Sequence, residues 1–247
     1  MKPIVDRCAS LALACSISMV VCLCATGAGE SGWIDLIGDR GVDGWREPTG
    51  GWIVAGEARP DRKNESRLVA EPGHGVLVNG VTGKTRNLLS KPDFGDVEAH
   101  FEFQVPKGAN SGVKFETLYE IQIHDSFGVA KPTATHCGGI YPRAEMLPRY
   151  HHIDDGVPPR VNAARRAGEW QTLDVIFRAP RFDASGTKIK NARFDKVVLN
   201  GQVIHQDVEL KTPTGHAWRL KEIARGPILL QGDHGPVAFR NIRVKAL

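Results

Sequence analysis

The stretch that decides the fold is Val97–Val105, which reads VEAHFEFQV. Its odd positions carry apolar residues, and its even positions carry polar or charged ones. Successive side chains of a β-strand point to opposite faces of the sheet. The alternation therefore predicts a strand with one packed face and one face that meets water or a ligand.

A second stretch, 119–124 (YEIQIH), alternates in the same way and places Glu120, Gln122 and His124 on its polar face. Turn-forming residues separate the two stretches, and 111–115 supplies a short strand, so this region predicts an antiparallel meander. Beyond residue 28 the chain lacks long helical periodicity and contains short β-rich runs. Further strands are predicted around 33–36, 52–55, 75–78, 173–177, 196–199, 202–205, 227–231 and 237–244.

The dipeptide Asn200–Gly201 is the strongest hairpin signal in the chain, because both residues tolerate the positive φ of a type I′ turn. Two long segments, 125–168 and 179–193, are rich in Pro, Gly and charge and are predicted to be loops of the kind that often carry function. These patterns predict one all-β domain over 29–247. It is a sandwich of two antiparallel sheets with a polar groove suited to a sugar.

Residues 1–28 have the pattern of an export signal peptide. Two basic residues precede an apolar stretch at 11–23, and small residues follow at 25–28, where we expect cleavage. The apolar stretch is shorter than the roughly 20 residues of a membrane-spanning helix, so no transmembrane helix is predicted in the mature chain. We expect export to a bacterial periplasm or the cell surface. Lipoprotein anchoring is the less favoured alternative, since the last two leader cysteines do not follow a small residue.

Cysteine usage and charge exclude two further classes of protein. Four of the five cysteines lie in the leader, so only Cys137 remains and an internal disulfide framework is excluded. The net charge of +4 is modest, and the basic residues are scattered along the chain. No nucleic-acid partner is therefore predicted.

The polar face of 119–124, which Asp125 follows directly, is the most informative spot for chemistry. A carboxylate, an amide and an imidazole share this face, and sugar hydroxyls are bound by such mixtures of donors and acceptors. An ordinary solvent-facing strand is the alternative. A second segment, 231–242, contains a glycine-flanked Asp-His turn that presents His234, and Arg240 follows it.

Several short motifs lie in order along nearly the whole chain after the leader. They are NSGV (110–113), YEIQIHD (119–125), GGIY (138–141), GEW (168–170), NG (200–201), GPILLQ (226–231), DHG (233–235) and FRNI (239–242). In order and spacing they resemble the signatures of the 3-keto-disaccharide hydrolase family. The resemblance implies a concanavalin-like jelly-roll sandwich. It also implies cleavage of glycosides already oxidised at C3, by hydrolysis or by elimination followed by hydration.

The chemistry of such a substrate suggests roles for the candidate residues. A ketone at C3 acidifies the C2 proton, so a base removes it, an electrophile holds the enolate oxygen and an acid protonates the departing C1 oxygen. We assign Glu120 or Asp125 as the base, and His234 or His124 as the acid or the enolate stabiliser. The other predicted substrate-binding residues, which supply donors and acceptors, are Asn110, Lys114, Gln122, Tyr141, Gln231 and Arg240.

Three alternatives stay open. A divalent metal is an open cofactor, because the candidate carboxylates and imidazoles offer ligands, although their spacing matches no metal motif. A retaining glycosidase of the laminarinase type would use Glu120 and Asp125, yet Gln122 stands where such an enzyme needs a middle carboxylate. A noncatalytic carbohydrate-binding module would have the same fold, because fold alone does not decide function.

Overall fold

The structure, a computed structural model, describes residues 32–38, 41–80 and 82–247. The predicted signal peptide and its cysteines lie outside the described residues. No helix in the described ranges has the length and apolar character that crossing a membrane requires.

The described chain consists of sixteen β-strands and one short 3-10 helix. The elements are β1 (Trp33–Asp35), β2 (Ile53–Asp61), β3 (Asn64–Val78), β4 (Leu88–Leu89), β5 (Val97–Gln104), β6 (Asn110–Phe115), β7 (Tyr119–His124), β8 (Ala144–Glu145), β9 (His151–His152), β10 (Gln171–Arg178), β11 (Arg181–Phe182), β12 (Lys188–Lys190), β13 (Ala192–Leu199), β14 (Gln202–Leu210), a 3-10 helix (His216–Arg219), β15 (Leu229–Leu230) and β16 (Ala238–Ala246).

Two antiparallel sheets form the layers of a sandwich. The larger sheet has eight strands, in the order β14-β13-β10-β5-β16-β3-β2 with β1 also paired to β16. The smaller sheet has four strands in the order β4-β15-β6-β7. The predicted all-β sandwich of antiparallel sheets is confirmed.

The core lies between the sheets and is built from aromatic residues of both. Phe115 of β6 stacks on Phe177 of β10 with ring centroids 5.1 Å apart, and Tyr119 of β7 lies 5.4 Å from Phe177. These three side chains are at most 1% exposed. Because the odd residues of β7 point into this core, its even residues Glu120 and Gln122 face the outer side of the small sheet.

Cys137 belongs to the same core and is a free thiol. Burial raises its pKa to about 12. It is therefore uncharged at neutral pH and packs as a small apolar residue.

The predicted hairpin at Asn200–Gly201 is present. The two residues have φ of 50° and 80°, and Leu199 pairs with Gln202 across the turn. The Asn200 side chain also donates to the carbonyl oxygen of Ala163 at 2.9 Å. The turn thus satisfies the backbone requirement and anchors a neighbouring loop.

Both segments predicted to be loops contain strands, and part of one further strand was missed. The segment 125–168 contains the β8–β9 hairpin, and 179–193 contains the β11–β12 hairpin and the start of β13. The first part of β3 was not predicted, because residues 64–67 are exposed on both faces and no apolar alternation marks them. The β11–β12 hairpin and residues 64–67 have no buried face, so the hydrophobic pattern gives no signal there. Strands β8 and β9 have two residues each, which is too short for an alternation to show.

Candidate functional site

A cleft of about 290 Å³ lies on the outer side of the small sheet. The β6–β7 pair and the residue after β15 form its floor, and the loops after β7, β14 and β15 form its walls. This volume is at the lower end of the roughly 300–1,000 Å³ of small-molecule sites. The lining residues are Asn110, Lys114, Glu120, Gln122, Tyr141, Met146, Tyr150, Gly215, His216, Gln231, Asp233 and His234.

An ion pair occupies the floor of the cleft. Lys114 and Glu120 are cross-strand partners in β6 and β7, and Lys114 Nζ lies 2.9 Å from Glu120 Oε2. Their side chains are only 12% and 4% exposed. Gly112 makes room for this pair, because a Cβ at that position would lie 2.4 Å from Glu120 Oε1. The floor thus presents a carboxylate and an ammonium group side by side.

Amide side chains complete the floor. Gln122 donates a hydrogen bond through Nε2 to Asn110 Oδ1 at 3.0 Å. This bond does not use the Oε1 atom of Gln122. The Oε1 atoms of Gln122 and Gln231 are both buried and have no hydrogen-bond partner within the described residues. Buried acceptors of this kind normally have a partner. Both side chains line the cleft, so rotation of either amide would bring its oxygen to a sugar hydroxyl.

Asp233 and His234 form a pair on the wall of the cleft, with Asp233 Oδ1 2.6 Å from His234 Nδ1. A carboxylate can only accept, so Nδ1 carries the proton and Nε2 is left to face a ligand. Gly235 allows the backbone of this turn to lie close to the backbone of Asn110, since a Cβ on Gly235 would lie 2.8 Å from the Asn110 nitrogen. The turn is therefore pressed against the edge of the floor.

Tyr141 and Tyr150 form another part of the wall, and His152 contacts both of them. The hydroxyl groups of Tyr141 and Tyr150 are 3.0 Å apart, and His152 Nε2 lies 3.3 Å from the Tyr141 hydroxyl. Burial, the hydrogen bond with Tyr150 and the nearby charge of Glu120 raise the pKa of the Tyr141 phenol. Tyr141 therefore keeps its proton and acts as a donor.

The structure leaves three of the predicted residues outside this cleft. Asp125 accepts a hydrogen bond from the backbone N–H of Gly108 at 2.9 Å. His124 packs against His136, and burial together with His136 lowers its pKa. Neither Asp125 nor His124 is among the lining residues. A laminarinase-type pair of Glu120 and Asp125 therefore has no geometric support.

Arg240 lies on the outer face of the large sheet. Its neighbour Phe239 is fully buried in the core, so the alternation of β16 sends Arg240 to the opposite side. There it pairs with Glu102 at 2.6 Å and covers the ring of Trp170. The predicted role of Arg240 in substrate binding is not supported by this position.

The cleft residues that sequence reasoning did not assign to the site are Met146, Tyr150, Gly215, His216 and Asp233. Asp233 was detectable, because a carboxylate directly precedes the predicted His234. The other four lie in segments without periodicity, and only the fold brings them to the cleft.

No group of three or more His, Cys, Asp or Glu side chains within the described ranges is placed to hold a metal ion. Of the four ligands considered from the sequence, two lie outside the cleft, and Glu120 is already paired with Lys114. These residues do not converge on one metal.

Comparison with models of known families places the chain. The model of the 3-keto-alpha-glucoside-1,2-lyase-like domain matches residues 32–245. The chain belongs to this family. The match spans both sheets and includes every residue of the cleft.

Solved structures agree with this placement. The chain is similar to a protein of Parabacteroides distasonis described as a "putative glycosyl hydrolase", with 26% identity, a TM-score of 0.65, and coverage of 88% of this chain and 84% of that one. A second protein of that organism with the same description shares the fold, at 15% identity, a TM-score of 0.53, and coverage of 87% and 94%. Comparison with curated proteins gave no match. Family and neighbours support a carbohydrate-active enzyme or binder.

Proposed function

We propose that the protein cleaves glycosidic bonds of 3-keto-glycosides by elimination, followed by addition of water. The observation that carries the proposal is the pair of Lys114 and Glu120, 2.9 Å apart on the floor of the cleft. A base and a cation at that separation suit two neighbouring carbons of one sugar. Glu120 faces the C2 proton, and Lys114 faces the oxygen of the C3 ketone.

In the first step the Glu120 carboxylate takes the C2 proton, and the electrons of the C–H bond move into an enolate whose oxygen lies at C3. The ammonium group of Lys114 stabilises this negative charge. The enolate then reforms the ketone, a double bond forms between C1 and C2, and the C1–O bond breaks. Water then adds its oxygen to C1 and gives a proton back to His234, while Glu120, whose proton has exchanged with the solvent, protonates C2. This gives the free 3-keto sugar and restores both residues.

His234 is the acid for the departing oxygen in this proposal. Asp233 accepts the Nδ1–H hydrogen bond and orients the ring. The step requires the imidazolium form, in which Nε2 also carries a proton and gives it to the departing oxygen. The leaving group of an alkyl glycoside is a strong base, so it needs a proton as the bond breaks. Tyr141, as a protonated phenol, supplies a further donor to the sugar.

The test is to incubate the purified protein with a 3-keto-glucoside and with its non-oxidised parent in deuterated water. We expect release of the aglycone from the oxidised sugar alone, with deuterium appearing at C2 of the product. Glu120→Gln removes the base and is expected to lower kcat on the order of 10²–10⁴-fold, as for other general bases. Loss of activity with a chelator would instead assign part of the chemistry to a metal.

Glu102→Gln is the matched control. Glu102 is also ion-paired, to Arg240 at 2.6 Å, but it lies on the outer face of the large sheet. Equal losses in the two variants would contradict the assignment of Glu120. Binding of the sugar without turnover would identify a noncatalytic module, and release from the parent would identify an ordinary glycosidase.

A further inference from the structure

The tip of the β8–β9 hairpin, residues 146–150, carries exposed apolar surface at the mouth of the cleft. Met146, Leu147 and Tyr150 are 56%, 80% and 47% exposed. Met146 and Tyr150 also line the cleft, so this surface is continuous with the polar floor. Apolar patches rimmed by polar residues commonly mark binding sites.

The hairpin is held in place at its base. Arg143 pairs with Asp154 at 2.6 Å, and Arg219 of the 3-10 helix pairs with Glu145 at 2.5 Å. The backbone N–H of Ala144 also donates to the carbonyl oxygen of Gly215. These contacts tie the hairpin to the segment that forms the next part of the cleft wall.

The ring of Tyr150 is oriented although it is half exposed. Its hydroxyl group bonds to Tyr141, and its ring packs edge-on against His152 with centroids 5.6 Å apart. An aromatic ring fixed at its polar end presents its apolar face to a ligand at a small cost in conformational entropy. The surface is thus prepared before a ligand arrives.

We propose that the tip of this hairpin is the subsite for the leaving group and that it favours alcohols with a large apolar surface. The inference rests on the proposed function, because it takes the oxidised ring to lie on the floor beside Lys114 and Glu120. The group bonded to C1 then projects from the floor toward the mouth. Met146 and Tyr150 offer it apolar contact rather than charge.

The test compares the ethyl and 2-phenylethyl 3-keto-glucosides. The two alcohols are similarly acidic, so the bond-breaking step is matched and only the apolar area differs. We expect kcat/KM to be on the order of tenfold higher for the phenylethyl substrate, from the added apolar burial. Tyr150→Ala is expected to reduce this ratio to below about threefold, whereas Tyr150→Phe, which keeps the ring, retains most of it.

Ile189→Ala is the control, because Ile189 is 66% exposed and lies on β12 outside the cleft. It should leave the ratio unchanged. Equal kcat/KM values for the two substrates, or a ratio that survives in Tyr150→Ala, would overturn the inference. So would a shift of Tyr150→Ala from dimer to monomer in sedimentation without a change in the ratio, because the patch would then serve contact between copies.

Failure of the proposed function has a different signature, namely no turnover of either oxidised substrate. In that case calorimetric titration with the two non-oxidised glucosides still tests the subsite. Tighter binding of the phenylethyl glucoside that is lost in Tyr150→Ala supports it, and equal binding of the two overturns it.

Discussion

Lys114 Nζ and Glu120 Oε2 lie 2.9 Å apart across the β6–β7 pair, on the face that points away from the core. The hydrogen-bond register makes the two residues cross-strand partners, and the loops above them exclude most of the solvent from both. Buried ion pairs of this kind are often neutral or unfavourable for stability, because desolvation offsets the attraction. Their position under a cleft is better explained by binding and chemistry.

Gly112→Ala tests how closely this pair is fitted. The added Cβ would lie 2.4 Å from Glu120 Oε1, so the carboxylate must move. We expect kcat to fall by at least about tenfold, since small misplacements of a catalytic group are costly. Gly51→Ala is the control, because its nearest neighbour is a threonine hydroxyl at 3.2 Å. Unchanged kinetics in Gly112→Ala would show that Glu120 does not need its present position.

His234→Gln tests the acid. We expect kcat for an alkyl 3-keto-glucoside to fall on the order of 10²–10⁴-fold. A nitrophenyl substrate should be nearly unaffected, because nitrophenolate departs without a proton. His100→Gln is the matched control, because His100 Nδ1 also lies 2.6 Å from a carboxylate oxygen, that of Asp174, but on the large sheet. It should leave kcat unchanged. A similar loss with both leaving groups would remove His234 from the role of acid.

Gln231→Met tests the unpartnered acceptors. The substitution keeps an unbranched side chain but removes a buried oxygen that has no partner within the described residues. We expect the free energy of unfolding to stay the same or rise, while affinity for the sugar falls about tenfold for a lost hydrogen bond of ~1–2 kcal/mol. Denaturant melts and calorimetric titration measure the two effects. A fall in stability with unchanged affinity would mean that Gln231 is structural.

Glu116 gives a prediction about pH. It is 2% exposed, and neither carboxylate oxygen has a hydrogen-bond partner among the described residues. Burial, and to a smaller extent the charge of Glu222, raises its pKa from the usual 4.5 to about 8. The unfolded chain therefore loses this proton at a lower pH than the folded chain does. The contribution of Glu116 to the free energy of unfolding is fully present below pH 4.5 and is lost as the pH rises toward 8.

Glu116→Gln removes this dependence. We expect little change in the free energy of unfolding at pH 4.5, and a gain over the wild type of roughly 3–5 kcal/mol at pH 8, from ~1.4 kcal/mol for each pKa unit. Glu102→Gln should behave in the opposite sense, because hydrogen bonds from Asn241 and Arg240 outweigh burial and lower the pKa of Glu102. A difference between Glu116→Gln and wild type that does not grow with pH would contradict the raised pKa.

The main strands and the central hairpin were predictable because each leaves a local mark on the sequence. The alternation at 97–105 and 119–124 records which face is buried, and Asn200–Gly201 records a backbone geometry that few residues adopt. The exposed β11–β12 hairpin left no such mark. The export signal stays a prediction.

The sequence by itself determined the fold class, the family and the polar face of β7 that carries Glu120 and Gln122. Only the tertiary structure decided that His234 reaches this face and that Asp125 and Arg240 do not. The physical reason is that alternation fixes the side of a strand on which a residue lies. It does not fix which loops fold over that side, because long-range packing determines where they go.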